Sequence, residues 1–366
     1  MKPEDALNLS FYREVAVIEE KENTRILLVQ HVENRDFFVK KILTSYDPSV
    51  YRMLQARHFS GIPQIFYCVE ENGTLILIEE YIKGSSLSKI LDSSDFFSET
   101  EAAALIVRLC DILSPLHTLN PPVIHRDIKP ANILISSDGV PKLIDFNAAK
   151  QVQSEKTRDT ILMGTADYAA PEQYGFRQSD PRTDIYALGV LLNRILIGKV
   201  PRDALYQGTL TGIIRRCTEL NPDRRYQSAE DLKRSLQHAA KKIDSCRAVQ
   251  DEKARSFLPP GFRKSSFPCR LLSAAGYFFV LYLCASLTLE EPIPTSQLYL
   301  NRIFTGIAFF ALIAFLGNYR GIQRFFPLMK RSGLIRLLGY LIGIILILFC
   351  VFGVLVFLES IFWPAS

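Results

Sequence analysis

Three blocks near the carboxyl terminus constrain this chain more than anything else in it. From Leu271 it reads LLSAAGYFFVLYLCASLTL, later RIFTGIAFFALIAFLG, and then LLGYLIGIILILFCVFGVLVFL. Each is nearly free of charge over about the length a helix needs to cross a bilayer's hydrocarbon, roughly 20 residues. A helix that is apolar all round has to be covered by protein or by lipid, and the sequence holds no amphipathic partner to cover these. Three membrane helices are therefore expected, at about 271–289, 302–318 and 334–358. Arg302, at the edge of the second, is placed to snorkel outward. Up to about Gln250, by contrast, charged and apolar residues mix as in a soluble domain, so the 48% hydrophobic content of the 366 residues is unevenly distributed.

The net charge of +5 is modest, and basic residues gather in KK at 241–242, FRK at 262–264 and YRGIQRFFPLMKRSGLIR at 319–336. That pattern suits membrane flanks, and no nucleic-acid partner is expected. Basic residues stand before the first apolar block and fill the second connection, whereas the first connection, EEPIPTSQLYLN, is acidic. The positive-inside rule then places the amino-terminal part in the cytoplasm and the carboxyl terminus outside, in a multi-pass protein of the cell membrane. An external loop of about a dozen residues is too short for a folded sensor. The seven cysteines are scattered singly, with no zinc spacing, as suits a reducing compartment. The first thirty residues contain no basic-then-apolar secretory signal.

Within the soluble part, the first 83 residues carry short β-type runs, VAVIEE, RILLVQHV, DFFVKKIL, QIFYCVE and TLILIEEYI. A helical stretch, DPSVYRMLQAR, opens on an Asp-Pro start signal between the third and fourth. After KGSS the pattern turns helical, with apolar residues three and four apart in ETEAAALIVRLCDILSPLHTL, TDIYALGVLLNRILIG, GTLTGIIRRCTEL and SAEDLKRSLQHAAKK. A strand-rich lobe precedes a helix-rich one, an α+β arrangement.

Between two apolar runs of the second lobe lies VIHRDIKPANILI, Val123 to Ile135. Asp127 there can accept a hydroxyl proton, Lys129 can hold a phosphate oxygen, and Asn132 is a neutral oxygen ligand for a hard cation such as Mg²⁺. In LIDFNAAK, Asp145 adds a charged oxygen ligand after another apolar run. Two such ligands on neighbouring strands can clamp a nucleotide's Mg²⁺, so these are parts for phosphoryl transfer.

HRDIKPAN, DFN, GTADYAAPEQ and TDIYALGVLL, in this order and near the right spacing, resemble the eukaryotic-type serine/threonine protein kinases, in particular their bacterial members. The resemblance covers roughly residues 10–240. It implies a bilobal protein kinase fold, with an N-lobe at 1–83 and a C-lobe at 84–242; by their own composition, 243–269 reads as a basic juxtamembrane linker and 270–366 as the membrane helices. The resemblance implies ATP and Mg²⁺ as cofactors and protein Ser/Thr hydroxyls as substrates; the apolar blocks add the lipid bilayer as a partner, and a homodimer for autophosphorylation is a further expectation. Asp127 becomes the catalytic base, Lys129 the stabiliser of the transferred phosphoryl, and Asn132 and Asp145 the metal ligands. Thr165 matches the threonine that bonds the base and its lysine partner, Glu172 should pair with Arg225, and Asp184 should brace the catalytic loop. The nucleotide site would draw on Val39, Lys41, Glu79, Glu80, Ile82 and Leu134.

Of the neighbours Lys40 and Lys41, strand alternation selects Lys41 as the nucleotide lysine, because Val39 then faces the cleft instead of bulky Phe38. His125 is expected to be a packed structural residue. Arg126 is of the kind that receives a phosphorylated activation-loop residue, for which Thr157 and Thr160 are the nearest candidates.

Three positions depart from the family pattern. AVIEEKENTRILLV has no glycine where the glycine-rich loop belongs and sets Glu19, Glu20 and Glu22 near the expected phosphates. Val50 stands where the helix glutamate should pair with the nucleotide lysine, and Asn147 replaces the glycine of DFG, a residue able to take positive φ. Aligning Glu80 with the hinge makes Glu79 the gatekeeper, whose buried carboxylate needs a cation, and Lys41 is the nearest one expected. Asp47, one turn before Val50, is the alternative partner. The glycine-free loop and Val50 are also compatible with an inactive kinase-fold scaffold at the membrane.

Overall fold

The computed structural model describes residues 3–93, 96–152, 165–175, 178–256, 258–263, 266–286, 288, 294–326, 328–329 and 333–363, with the side chains of 247–256 left aside. Thr157 and Thr160 lie outside the described residues. The chain divides into two compact units, Met1–Ser245 and Cys246–Ser366.

The first unit opens with α1 (Pro3–Ser10), β1 (Tyr12–Lys21), β2 (Thr24–His31), β3 (Phe37–Leu43), α2 (Pro48–Ala56), β4 (Ile65–Glu71) and β5 (Thr74–Glu80). The strands form one antiparallel sheet in the order β1-β2-β3-β5-β4. Alternation sorts its faces. Leu27, Val29 and Ile78 are buried on one face with Tyr12, Phe38 and Tyr67 against them. The register of Ile26 with Lys41, Leu28 with Val39, and Val39 with Glu79 puts those side chains on the other face. Helix α2 starts on Asp47, whose side chain accepts from the Ser49 amide. It buries Val50, Tyr51 and Leu54, one face by helical spacing.

The helix-rich lobe follows with β6 (Gly84–Ser86), α3 (Leu87–Ser93), α4 (Glu99–His117), β7 (Val123–Ile124), β8 (Ile133–Ser136), β9 (Pro141–Leu143), β10 (Lys150–Gln151), α5 (Pro181–Ile197), α6 (Thr211–Cys217) and α7 (Ala229–Ser256). A capping box between Ser98 and Glu101 starts α4, and Asp180 caps α5. Ile106, Leu109 and Leu113 of α4 join Leu188, Leu191 and Ile195 of α5 in one core, each set recurring at three- and four-residue spacing along its helix. The three-stranded sheet β6-β8-β9 and the pair β7-β10 are short ribbons that hold the loops between them in place. The two lobes of a protein kinase fold, sheet then helices, are thus present.

In the second unit, α8 (Phe267–Ser286), α9 (Thr295–Leu316) and α10 (Leu334–Phe362) are long and apolar enough to cross a membrane. At 1.5 Å per residue they span about 30, 33 and 44 Å, against roughly 30 Å of hydrocarbon. The helices α8 and α9 begin before the apolar blocks, at Phe267 and Thr295: α8 opens on Phe-Pro-Cys-Arg, where proline suits a first turn, and α9 on the mixed Thr-Ser-Gln-Leu-Tyr-Leu-Asn, which carries too little apolar signal to be read as part of a span. Phe315 of α9 is fully buried against Gly343 of α10, where any Cβ would collide with its ring. Gly339 and Gly343, four apart, are both buried, and at Gly343 the missing Cβ lets the two helices approach closely.

The stretch expected as a linker is folded at both ends. Its first part continues α7 to Ser256, in keeping with a run of good helix formers. Residues 258–263 pack within the second unit: Tyr277 Oη donates to the Pro260 carbonyl at 3.1 Å and Arg263 Nη1 to the Gly317 carbonyl at 3.0 Å. Gly261 takes φ 92° there, and Gly317 leaves room for the Pro260 ring.

Candidate active site

The loop after β7 gathers the residues expected to carry phosphoryl transfer around Asp127. Its Oδ1 accepts from the Thr165 amide at 3.1 Å and the Thr165 hydroxyl at 2.9 Å. Its Oδ2 lies 2.7 Å from Lys129 Nζ and accepts from Asn132 Nδ2 at 2.9 Å. Lys129 Nζ also donates to Thr165 Oγ1 at 2.8 Å, which closes the ring. Burial pushes the Asp127 carboxyl up, but the hydrogen bond and charge of Lys129, with the Thr165 hydroxyl, outweigh it and hold the group below its ordinary value.

This loop is itself fixed by Asp184 at the start of α5, which is fully buried. Its two oxygens accept from the His125 and Arg126 amides, both at 2.9 Å, and His117 Nε2 lies 2.8 Å from Oδ2. Burial would raise the Asp184 carboxyl, but His117 and His125 keep it below the ordinary value. Arg126 takes φ 67°, a left-handed turn that a non-glycine residue adopts only when its surroundings hold it. Gln173 Nε2 supplies a further hold on the Arg126 carbonyl at 2.8 Å. His125 is buried, stacks edge-on to Phe146 at 4.7 Å, and has its imidazole pK pushed down by that burial. Deeper in the lobe, Arg225 grips Glu172 with two nitrogens, at 2.7 and 2.9 Å, and Thr183 Oγ1 donates to the same carboxylate.

On the sheet, Lys41 and Glu79 meet at 2.7 Å, both more than nine-tenths buried. They are diagonal neighbours on adjacent strands, since Glu79 sits opposite Val39. Burial opposes the Lys41 charge, yet Glu79 and Asp145 more than offset it and leave the ammonium above its ordinary value. Lys40, on the other face, pairs with Glu14 at 3.0 Å. Asp47 is occupied in capping α2 and in a 2.6 Å bond from Ser49 Oγ, so the alternative partner is spent elsewhere. Val50, wholly buried, packs in the core where the family's glutamate would stand.

The hairpin of β1 and β2 replaces the glycine-rich loop, with two register shifts in β1 between Glu14 and Ala16 and between Val17 and Glu19. The charge there is less acidic than the sequence alone implies, because Glu19 pairs with Lys21 and Glu20 lies 3.4 Å from Arg25. The hydrogen bond to Glu19 raises the Lys21 ammonium, and Asp145 and Asp127 add to that. Val39 and Leu134 are half-buried and Ile82 is buried. The Glu80 amide donates to the Gln64 carbonyl at 2.8 Å.

Asn147 departs from the expected reason for its tolerance. It does not take positive φ; Asp145 does, at 67°. Asn147 Oδ1 accepts instead from the Tyr51 hydroxyl at 2.6 Å, a contact that no sequence signal announced. Tyr51 keeps its proton, since burial first and then the Glu79 and Asp145 charges push its ionisation well up.

Asn132 and Asp145 offer one amide oxygen and one carboxylate. Asn132 donates its Nδ2 to Asp127, which leaves Oδ1 as the acceptor for a cation. Among the described residues no group of three His, Cys, Asp or Glu gathers as a cage. Few protein ligands, all hard oxygens, fit Mg²⁺ that arrives with a nucleotide's phosphates and keeps its waters.

Comparison with known proteins agrees with this geometry. The protein kinase domain family matches residues 15–257. A probable serine/threonine-protein kinase PknB of Corynebacterium glutamicum is 35% identical over 138 residues, 36% of this chain and 21% of that protein. Serine/threonine-protein kinase D of Synechocystis is 32% identical over 202 residues, 49% of this chain and 39% of that protein. Serine/threonine-protein kinase PknB of Mycolicibacterium smegmatis is 30% identical over 223 residues, 52% of this chain and 35% of that protein. The chain thus spans well under half the length of these relatives. With the matched segment covering both lobes and the ring around Asp127, the chain belongs to the protein kinase family.

Proposed function

We propose that this chain is a membrane-anchored serine/threonine protein kinase that transfers the γ-phosphoryl of ATP, with Mg²⁺, to Ser and Thr hydroxyls of proteins. The kinase unit lies in the cytoplasm and the carboxyl terminus outside. The observation that carries the reading is the ring in which Lys129, Thr165 and Asn132 all hold Asp127. A carboxylate kept ionised and aimed by three neighbours suits acceptance of a substrate hydroxyl's proton. Lys129 is placed to steady charge on the transferred group, and Lys41, fixed by Glu79, to hold the nucleotide. Mg²⁺ bound with the nucleotide would neutralise charge on its phosphate oxygens. Asn132 and Asp145 are the residues that would hold it.

A second reading, a kinase-fold scaffold that binds nucleotide without transfer, draws on the glycine-free hairpin and its Glu19–Lys21 pair. Labelled phosphate transfer by the full chain in lipid nanodiscs separates the two. Wild type should transfer, Asp127→Asn should lose about 10²–10⁴-fold in rate with nucleotide affinity kept, and Asp145→Asn should also weaken Mg²⁺-dependent binding. Good nucleotide affinity with no transfer by wild type would establish the scaffold.

A further inference from the structure

In the family pattern one glutamate on the helix after β3 ties that helix to the nucleotide lysine, and this chain has Val50 there, sealed in the core. The lysine is instead held inside the sheet, by Glu79 on the strand next to its own. That leaves α2 without its usual tie to the site, and the structure supplies another. Tyr51, the next residue, is 1% exposed and donates its hydroxyl to Asn147 Oδ1 at 2.6 Å. The backbone amide of Asn147 in turn donates to Asp145 Oδ1, at a long 3.4 Å. Asp145 needs such support, because its φ of 67° is a conformation that non-glycine residues leave unless neighbours fix them. The two departures at Val50 and Asn147 are therefore complementary: the helix loses a carboxylate, and the metal loop gains the side-chain amide that the adjacent tyrosine reaches.

We propose that Tyr51 is a positioning residue for the metal loop, acting through Asn147 to hold Asp145 in the orientation that binds Mg²⁺. It rests on the kinase reading only in taking Asp145 as the Mg²⁺ ligand. The work of one family glutamate is divided in two: Glu79 aims the lysine and Tyr51 joins α2 to the metal loop. A merely structural tyrosine would matter equally with and without metal, whereas a positioning tyrosine matters only when the metal is there.

The experiment is calorimetric binding of ADP to the full chain in nanodiscs, with Mg²⁺ titrated from zero, for wild type, Tyr51→Phe, Asn147→Gly and the double variant. Tyr51→Phe keeps the ring and removes the hydroxyl, and Asn147→Gly installs the family's own residue. The loss of one hydrogen bond corresponds to about a fivefold change. Each single variant should need about fivefold more Mg²⁺ for half-maximal binding, keep its metal-free ADP affinity, and combine without further loss in the double. Equal Mg²⁺ dependence in wild type and Tyr51→Phe would overturn the proposal. So would a loss that is the same with and without Mg²⁺, additive losses in the double variant, or a wild type whose ADP binding ignores Mg²⁺. Absence of phosphate transfer by wild type would refute the kinase reading and still leave this binding comparison decisive for Tyr51.

Discussion

Glu79→Met tests the buried ion pair of the sheet most directly. At 2.7 Å the Lys41–Glu79 attraction is about 6 kcal/mol gross at an effective dielectric near 20. Methionine fills nearly the same volume but leaves a lysine that is 5% exposed without its partner. Removing one member of such a pair costs roughly 3–5 kcal/mol, and Asp145, whose charge already reaches Lys41, is the group the ammonium can turn toward. Taking the low end, melting should fall by about 6–12 °C for a unit of this size. A lysine drawn aside also loses a charge-assisted bond to phosphate, about 1.5–3 kcal/mol, so nucleotide affinity should drop about 10- to 150-fold. Adding Val50→Glu in that background should restore part of both. Fluorescent-nucleotide titration and thermal melting of the full chain report the two quantities. Asp47→Ala is the control: it should cost only a helix cap, about 1 kcal/mol, and leave nucleotide affinity near normal. Wild-type affinity and melting in Glu79→Met, with a crippled Asp47→Ala, would refute the reasoning.

Three further outcomes rest on the same geometry. Arg225→Met leaves Glu172 buried against Thr183 without its cation, and denaturant unfolding should show a loss of about 3–5 kcal/mol. The buried His125, among Asp184, Asp127 and Asp145, has its pK pushed down by burial, so its contribution to stability should be complete above about 6.5 and fall as pH drops below it, where the unfolded chain takes up the proton first. His125→Asn should flatten that slope in melting curves between about pH 6.5 and 5, and an unchanged slope would exclude this histidine. A reporter enzyme active only outside the cytoplasm should work when fused after Ser366 and fail when inserted near Gly321; the opposite pattern would invert the proposed orientation.

Much of the site could be read from order and spacing, because its parts sit in short contiguous motifs. HRDIKPAN carries Asp127, Lys129 and Asn132 within six residues, and a loop that short must bring them near one another. Strand alternation separated Lys41 from Lys40, since period two assigns neighbours to opposite faces of a sheet, and the two lysines do have different partners. The pairing with Glu79 was legible for the same reason, once the hinge fixed the register of β5 against β3. The Tyr51–Asn147 bond was not. It joins residues 96 apart and depends on how α2 is rotated against the loop of Asp145 and Asn147, which helical periodicity reports only as a buried face. Asn147 looked tolerable for its backbone, whereas its side chain is what the structure uses. The start of α9 escaped because its first turns mix polar with apolar residues, and that of α8 because Pro268 and Arg270 interrupt the apolar run although proline fits a helix's first turn; the docking of Pro260 and Arg263 escaped because proline and glycine announce a turn but not what it packs on.

The pair of Lys41 and Glu79 also bears on how this protein could be inhibited. In the proposed nucleotide site Glu79 stands at the back wall behind the purine, where many kinases offer small-molecule designers an apolar recess. Here that wall is a salt bridge inside the sheet, already satisfied and largely shut off from water. A compound that extends an aromatic ring past the purine position would have to separate the pair or strip it of its mutual contact, and its buried area would be offset by two uncompensated charges. A compound that ends in a hydrogen-bonding group matched to a carboxylate would meet no such obstacle. Selectivity against kinases with a threonine or an apolar residue at this position could therefore be built from polarity rather than from size.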